Sequence, residues 1–188
     1  MERKKNNIYM NIGGTMVYRE MDQSEAEKIQ LIDGTCYIKN SWRMVDGTLQ
    51  LVEINWTDYE LPNGLHWHMQ HFAKTIVEGG KAFGCFENDV LVGYVTINSD
   101  IFGVYSKQIL LDQLFVSHNY RNKGIGKKLF EFCVCQAQKW GADKLYLCAG
   151  SSENTLAFYK KIGCVNAVEI NQELYEEDPN DIQLEYLI

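Results

Sequence analysis

At 188 residues, 46% hydrophobic and 23% charged, the chain has the balance of an ordinary folded globule and the length for one domain with a proper core. A net charge of −7 argues against a nucleic-acid partner, because neutralising phosphates needs a basic surface, whereas it suits a cationic amine. No apolar run approaches the roughly 18 residues of a membrane span, and the polar Met1–Asn7 lacks the apolar centre of a signal peptide, so a cytoplasmic protein is expected.

Residues 1–15, ending at Gly13-Gly14, read as a loose extension ahead of one domain over 16–188. Met16–Arg19 is a first strand, and a helix near Ser24–Ile32 follows with Ser24 as cap and Glu27 three later, the pattern of a capping box. Thr35–Lys39 and Leu49–Trp56 are strand-like around the turn Asp46-Gly47. A helix over Leu65–Glu78 stops at Gly79-Gly80. Lys81–Glu87 and Val90–Asn98 alternate around Asn88-Asp89 as a hairpin does. After a loop at 99–107 come a strand at Gln108–Val116, a helix at 124–140 closed by Gly141, a strand at 144–149 and a helix at 153–162 closed by Gly163. Val165–Ile170 and Ile182–Leu187 pair around the acidic loop Glu173–Asp181. The sum is an α+β fold, a central mixed but largely antiparallel sheet flanked by helices.

Six cysteines (36, 85, 133, 135, 148, 164) carry neither a disulfide nor a metal signature. Cys133 and Cys135 stand two apart on a predicted helix and so point to different sides, and no C-x-x-C pair occurs. Buried free thiols and a reducing compartment are expected. His68 and His71 share a helix face, but no Cys or carboxylate nearby in sequence completes a zinc set, so they are read as packing or substrate contacts.

The densest chemical signal is Tyr120-Arg121-Asn122-Lys123-Gly124-Ile125-Gly126-Lys127-Lys128, set between an apolar strand and an amphipathic helix. The first turn of a helix leaves backbone N–H groups unpaired and carries partial positive charge, and glycines let a ligand approach that backbone. With Arg121, Lys123, Lys127 and Lys128 beside it, this helix start is an expected phosphate cradle. A Walker loop would need Gly where Arg121 stands and Ser or Thr where Lys128 stands; a dinucleotide fingerprint would need a small residue where Leu129 stands.

Arg121-x-x-Gly124-x-Gly126 after the strand Leu114-Phe115-Val116 resembles the Arg/Gln-x-x-Gly-x-Gly/Ala signature of the GNAT superfamily of acyl-CoA N-acyltransferases. Phe158-Tyr159-Lys160-Lys161-Ile162-Gly163-Cys164 resembles that superfamily's Phe-Tyr-x-x-x-Gly-Phe ending, with Cys164 in place of the aromatic. The resemblance runs over roughly Ala82–Val168 and implies acetyl transfer from acetyl-CoA, as co-substrate without metal, to a primary amine in a ternary complex. It implies that N–H groups of Asn122–Lys127, including Gly124, Ile125 and Gly126, hold the diphosphate. Leu114, Phe115 and Val116 then bind the pantetheine arm through backbone groups, and Phe158 lies beside the coenzyme.

By the same resemblance Tyr159 donates a proton to the departing thiolate; otherwise it is a helix aromatic packed on the sheet. Asp112, the carboxylate of the central strand, is a candidate base, an ammonium ligand or a structural acid, at a strand where some relatives carry a glutamate two positions earlier. The superfamily's usual asparagine position falls on Ser152, while Asn154 is rotated away from it on the helix, so both are kept as coenzyme candidates. Trp42, Trp56, Tyr59, Trp67 and Phe72 cluster near Glu53, Asp58 and Glu60, which suits a cationic small-molecule acceptor as well as a peptide amine. A homodimer is compatible with the reading, and a non-catalytic acyl-CoA sensor is the alternative on the same scaffold.

Overall fold

The computed structural model of the protein describes residues 16–188, so the extension expected over 1–15 lies outside the described residues. The chain enters as β1 (Met16–Met21), makes a 3₁₀ helix at Gln23–Leu31, then folds β2 (Cys36–Val45) and β3 (Thr48–Asp58) into a hairpin of their own. Next come α1 (Leu65–Val77), β4 (Lys81–Glu87), β5 (Val90–Phe102), β6 (Gln108–Val116) and α2 (Ile125–Trp140). β7 (Lys144–Ala149), α3 (Glu153–Lys161), β8 (Val165–Asn166), α4 (Gln172–Glu177) and β9 (Ile182–Leu187) complete it.

Seven of these strands form one sheet in the order β1-β4-β5-β6-β7-β9-β8, antiparallel throughout except between β6 and β7. Turn chemistry sets the registers. Asn88 and Asp89 both adopt positive φ, 49° and 65°, as do Asp46 and Gly47, 48° and 75°, the twist that two-residue hairpin loops favour. Helices cover both faces. Ile125, Leu129, Cys133 and Ala137 of α2 are buried against Val95, Ile109, Leu111 and Leu147 on one side. Phe72 of α1 joins Ile29, Leu91 and Tyr94 on the other. Gly93 permits the first packing, since a Cβ there would come within 3.2 Å of Ile125 Cγ2 and 3.3 Å of Leu129 Cδ1. This is the α+β layer arrangement that the hydrophobic periodicity predicts.

Several local expectations are corrected. The segment expected as a helix near Ser24–Ile32 is 3₁₀, and its capping box is formed by Asp22 and Glu25 rather than Ser24 and Glu27. Asp22 Oδ1 accepts from Ser24 N at 2.9 Å, and an ion pair with Arg19 at 2.6 Å holds Glu25 in place. β5 runs on to Phe102, shortening the loop expected at 99–107, because Ile101 and Phe102 pair with Ile109 and Gln108. The strand expected over Val165–Ile170 shrinks to Val165–Asn166: Glu169 instead receives Gln108 Nε2 and the amide of Tyr105, drawing the chain off the sheet edge. The acidic loop contains α4, capped by Asn171 Oδ1, which accepts from Leu174 N at 3.1 Å.

The feature that positions the site is a break in the parallel pair. β6 and β7 are paired only at Gln108/Lys144, Ile109/Leu145 and Leu110/Tyr146. Beyond Leu110 the two strands diverge, each held by its other neighbour, β5 or β9. Leu129 is fully buried where α2 crosses this region, so Leu129→Ala should lower unfolding free energy by about 2–5 kcal/mol. Chemical denaturation checks it, and an unchanged midpoint would contradict the packing described.

Candidate active site

The opening between β6 and β7 leads directly to the start of α2. Gly124, at φ 83°, is the cap residue, and no side chain caps this helix, in contrast to α3 and α4. Lys128 N donates to Gly124 O at 3.0 Å as the first intrahelical bond, so the amides of Ile125, Gly126 and Lys127 have no helical acceptor. Asn122, at φ 62°, is a second left-handed residue just ahead of them. Nothing lies within 4 Å of where a Cβ on Gly124 would stand, so the approach to these amides is open. Gly126 serves differently: its Cβ would meet Phe158 Cζ at 3.2 Å, so glycine lets α2 close on α3. Phe158 thus floors the helix start, with Val116 on the same side.

The four basic side chains of this loop divide. Arg121 faces inward: Nε donates to Val116 O at 2.9 Å, Nη1 to Thr35 O at 2.8 Å and Nη2 to Gly34 O at 3.2 Å. With Asp33 N donating to Ser117 Oγ at 3.0 Å, it braces the loop against the segment after the 3₁₀ helix. Lys123 lies over the Tyr120 ring, Lys128 bridges to Glu131 at 3.2 Å, and Lys127 is exposed.

Of the catalytic candidates, Tyr159 is 8% exposed, and among the described residues its hydroxyl has no hydrogen-bond partner. Burial raises its pKa above the ordinary phenol value, with Cys164, Cys133 and Asp181 adding to the effect. Asp112 is the extra residue of a β-bulge: Thr96 pairs with Gln113 and Ile97 with Leu111, leaving Asp112 between them. Bulges re-aim side chains beside active sites. Burial raises its carboxyl above the usual range, opposed by His71 and reinforced by Glu177. Leu114 and Phe115 continue β6 beyond the bulge. Ser152 is buried as the cap of α3, its Oγ accepting from Thr155 N at 3.1 Å, while Asn154 sits exposed on the first turn.

The β2–β3 hairpin is clamped onto the loop between β7 and α3. Ser41 bridges to Ser152, Trp42 N donates to Ser151 O at 2.8 Å, and Asn40 Nδ2 donates to Glu153 Oε2 at 2.8 Å. The aromatic set read from the sequence separates in space. Phe72 is core, Trp42 packs against the core with Lys160 over its ring, and Trp56 and Tyr59 are exposed. Trp67 stacks on His71 at 3.6 Å. Glu53 accepts from Asn55 and Asp58 from Trp56, both on the hairpin itself. His68 Nε2 faces Pro62 O at 2.7 Å, which makes it the protonated nitrogen, so Nδ1 accepts from the Tyr94 hydroxyl at 3.0 Å. Both nitrogens are engaged, and burial lowers its pKa, so His68 is a neutral core histidine.

The uncapped helix start is what the glycine-rich motif implies, and the parallel pair splays beside it. The Acetyltransferase (GNAT) family profile matches residues 48–164, well over half of the chain. The chain belongs to the GNAT family. It is an acyltransferase by that membership. No curated protein matches its sequence. Among solved GNAT structures it is similar to a nourseothricin acetyltransferase, at TM-score 0.67 and 18% identity, covering 90% of this chain and 95% of that one. It is also similar to a Bacillus anthracis protein assigned as a streptothricin acetyltransferase and bound to acetyl coenzyme A, at TM-score 0.65 and 13% identity over 93% and 99% of the two chains. A third is the PaiA N-acetyltransferase of Thermoplasma acidophilum in complex with coenzyme A, at TM-score 0.59 and 16% identity over 93% and 99%. At such identities the likeness is one of fold.

Two polar residues near this site carry no sequence signal of their own. Gln113 is buried with Nε2 unpartnered, and Asp181 stands opposite Gly150 because Ala149 pairs with Ile182. Strand alternation alone names neither. For Arg121, three bonds to backbone carbonyls predict that Arg121→Ala destabilises the GNAT fold by about 1–3 kcal/mol in the absence of any coenzyme. A residue acting only on phosphate would leave the ligand-free denaturation midpoint unchanged.

Proposed function

We propose that the protein transfers an acetyl group from acetyl-CoA to a primary amine of a small cationic molecule or peptide, by direct attack in a ternary complex. The observation that carries this is the divergence of β6 from β7 beside the uncapped start of α2. The amides of Asn122–Lys127 hold the diphosphate, Lys123 and Lys127 reach further phosphates, and Arg121 keeps the loop in shape. Backbone groups of Leu114, Phe115 and Val116, on the stretch of β6 that β7 leaves, bind the pantetheine arm and polarise the thioester carbonyl, the Val116 carbonyl itself being held by Arg121. One such preorganised donor aimed at a developing oxyanion contributes about 3–4 kcal/mol. Phe158 packs beside the coenzyme, and Asn154 is placed to touch it from the first turn of α3. Ser152 acts through its cap on that helix.

The reaction balances as follows. Asp112, as carboxylate, takes a proton from the acceptor ammonium, and the freed nitrogen lone pair attacks the thioester carbonyl. The C–S bond then breaks, and the thiolate takes the Tyr159 proton to leave as free coenzyme A. The nitrogen's second proton passes through water in the cleft to the phenolate, leaving a neutral amide, and Asp112 releases its proton to solvent. A phenol whose pKa is raised by burial stays protonated at every working pH, so the donor is always loaded. Its strength as an acid is correspondingly low, so proton donation must run together with C–S cleavage rather than precede it. Among the described residues no helix is long and apolar enough to cross a membrane. The six cysteines are free, which supports a reducing, cytoplasmic setting.

Tyr159→Phe should reduce kcat by about 10²-fold while leaving thermal stabilisation by acetyl-CoA intact; unchanged turnover would remove Tyr159 from the chemistry. Gly124→Glu should abolish that stabilisation, because the side chain would enter the open approach to the α2 amides as an anion. Acetyl-CoA stabilisation without thiol release, whatever amine is offered, would instead make the protein an acyl-CoA sensor.

A further inference from the structure

At the end of β6 away from the α2 turn, a cavity of about 360 Å³ lies between two segments that take no part in the transfer chemistry. One wall is the end of β5 with the loop after it, 102–104; the other is 169–173, running from β8 into the first turn of α4. Gln108, the first residue of β6, lines it between them. That volume falls in the range of small-molecule sites. The walls are fixed without a ligand. Phe102 packs edge-on to Tyr146 at 5.5 Å, and the Tyr146 hydroxyl accepts from Asn171 N at 3.1 Å, so one buried ring holds both sides. Glu169 accepts from the amides of Val104 and Tyr105, and Asp143 Oδ2 accepts from Lys107 N at 2.9 Å at the far end of the loop.

One buried acceptor in this place is unmet. Gln108 is fully buried, its Nε2 donates to Glu169 Oε2 at 3.0 Å, and its Oε1 has no partner among the described residues. Turning the amide round does not cure this, because the Glu169 carboxylate only accepts and would then face the carbonyl oxygen. Glu169 is ionised, since hydrogen bonds, that of the Val104 amide foremost, hold its carboxyl below the usual carboxylate range. Gln108 Oε1 and Glu169 therefore set an unsatisfied acceptor beside a negative charge, and a buried acceptor of this kind calls for a donor. Glu173 adds a second carboxylate to the lining, and no basic side chain lines the cavity among the described residues. Phe102, Val104 and Ile170 supply apolar surface.

We propose that this cavity is a second ligand site, separate from the transfer cleft, and that it takes a small alkylguanidinium cation. The planar group carries N–H donors on more than one edge, so one edge meets the Glu169 carboxylate while another reaches Gln108 Oε1. Its weak hydration and flat face suit the Phe102 ring, and its alkyl stem suits Val104 and Ile170. An alkylammonium is a strongly hydrated point charge and gains less from such a wall. A guanidinium also stays protonated at every working pH, with no free amine to acylate, so occupancy here is distinct from turnover.

The test titrates the full chain with butylguanidinium and follows backbone amide shifts by NMR. Butylurea, which keeps the N–H groups without the charge, and butyltrimethylammonium, which keeps the charge without N–H groups, are the controls. Shifts with butylguanidinium should centre on Val104, Tyr105 and Asn171, and each control should bind about 10-fold more weakly. Ile170→Trp fills the cavity from an exposed position, so it should abolish those shifts with cooperative thermal unfolding retained. Gln108→Met, similar in shape but without the acceptor, should weaken binding by about 10-fold. Absence of shifts at these amides, butylurea binding as tightly as butylguanidinium, or binding unchanged in a folded Ile170→Trp variant would each overturn the site.

Discussion

A parallel strand pair that stops pairing halfway is the constraint from which the rest of this molecule follows. Sheets bury backbone polar groups only when those groups are paired, because each one left unmatched costs about 1–3 kcal/mol. β6 and β7 nevertheless separate after Leu110 and Tyr146. The cost is tolerable because β6 stays latched to β5, and β7 to β9, while α2 covers the shared face with Leu129 and Cys133. What remains is a cleft walled by backbone groups, suited to an extended, amide-bearing ligand such as the coenzyme arm.

Around that cleft each neighbouring element has a distinct task. Arg121 illustrates how charge and role separate: a guanidinium in the basic glycine-rich loop turns inward to three carbonyls and holds the loop, while the main-chain amides at the start of α2 have no helical acceptor. The β2–β3 hairpin is fastened through Ser41, Trp42 and Ser151 to the loop that begins α3. It therefore steadies the same helix that carries Phe158 and Tyr159. His68, joined to Tyr94 and Pro62, does for α1 what Arg121 does for the loop, since its ring ties the helix to the sheet.

The electrostatics of the cleft run one way. Burial raises Asp112, Asp181, Cys148 and Tyr159 together, so protons are held more tightly here than in water. Such a site is stocked with proton acceptors that are weak at low pH and with donors that remain loaded at neutral pH.

Sequence alone determined the elements whose causes are local. The glycine at each end of α2, the Asn-Asp hairpin turn, the alternation of β4 and β5 and the helical spacing of Ile125, Leu129 and Cys133 all act within a few residues, and they made the layer fold and the glycine turn that opens α2 legible. It also marked Asp112 and Tyr159 as chemical candidates. Tertiary structure alone decided which charges face the cleft. Arg121 turns inward because Gly34 and Thr35, 87 and 86 positions away, offer it carbonyls. Asp181 is set opposite Gly150 because β9 registers against β7, whereas the other carboxylates of the same acidic stretch, on α4 and just after it, are exposed. Periodicity and turn chemistry are written within a few residues, but register between distant strands is set by the whole sheet, and that is where the polar groups of this site were chosen.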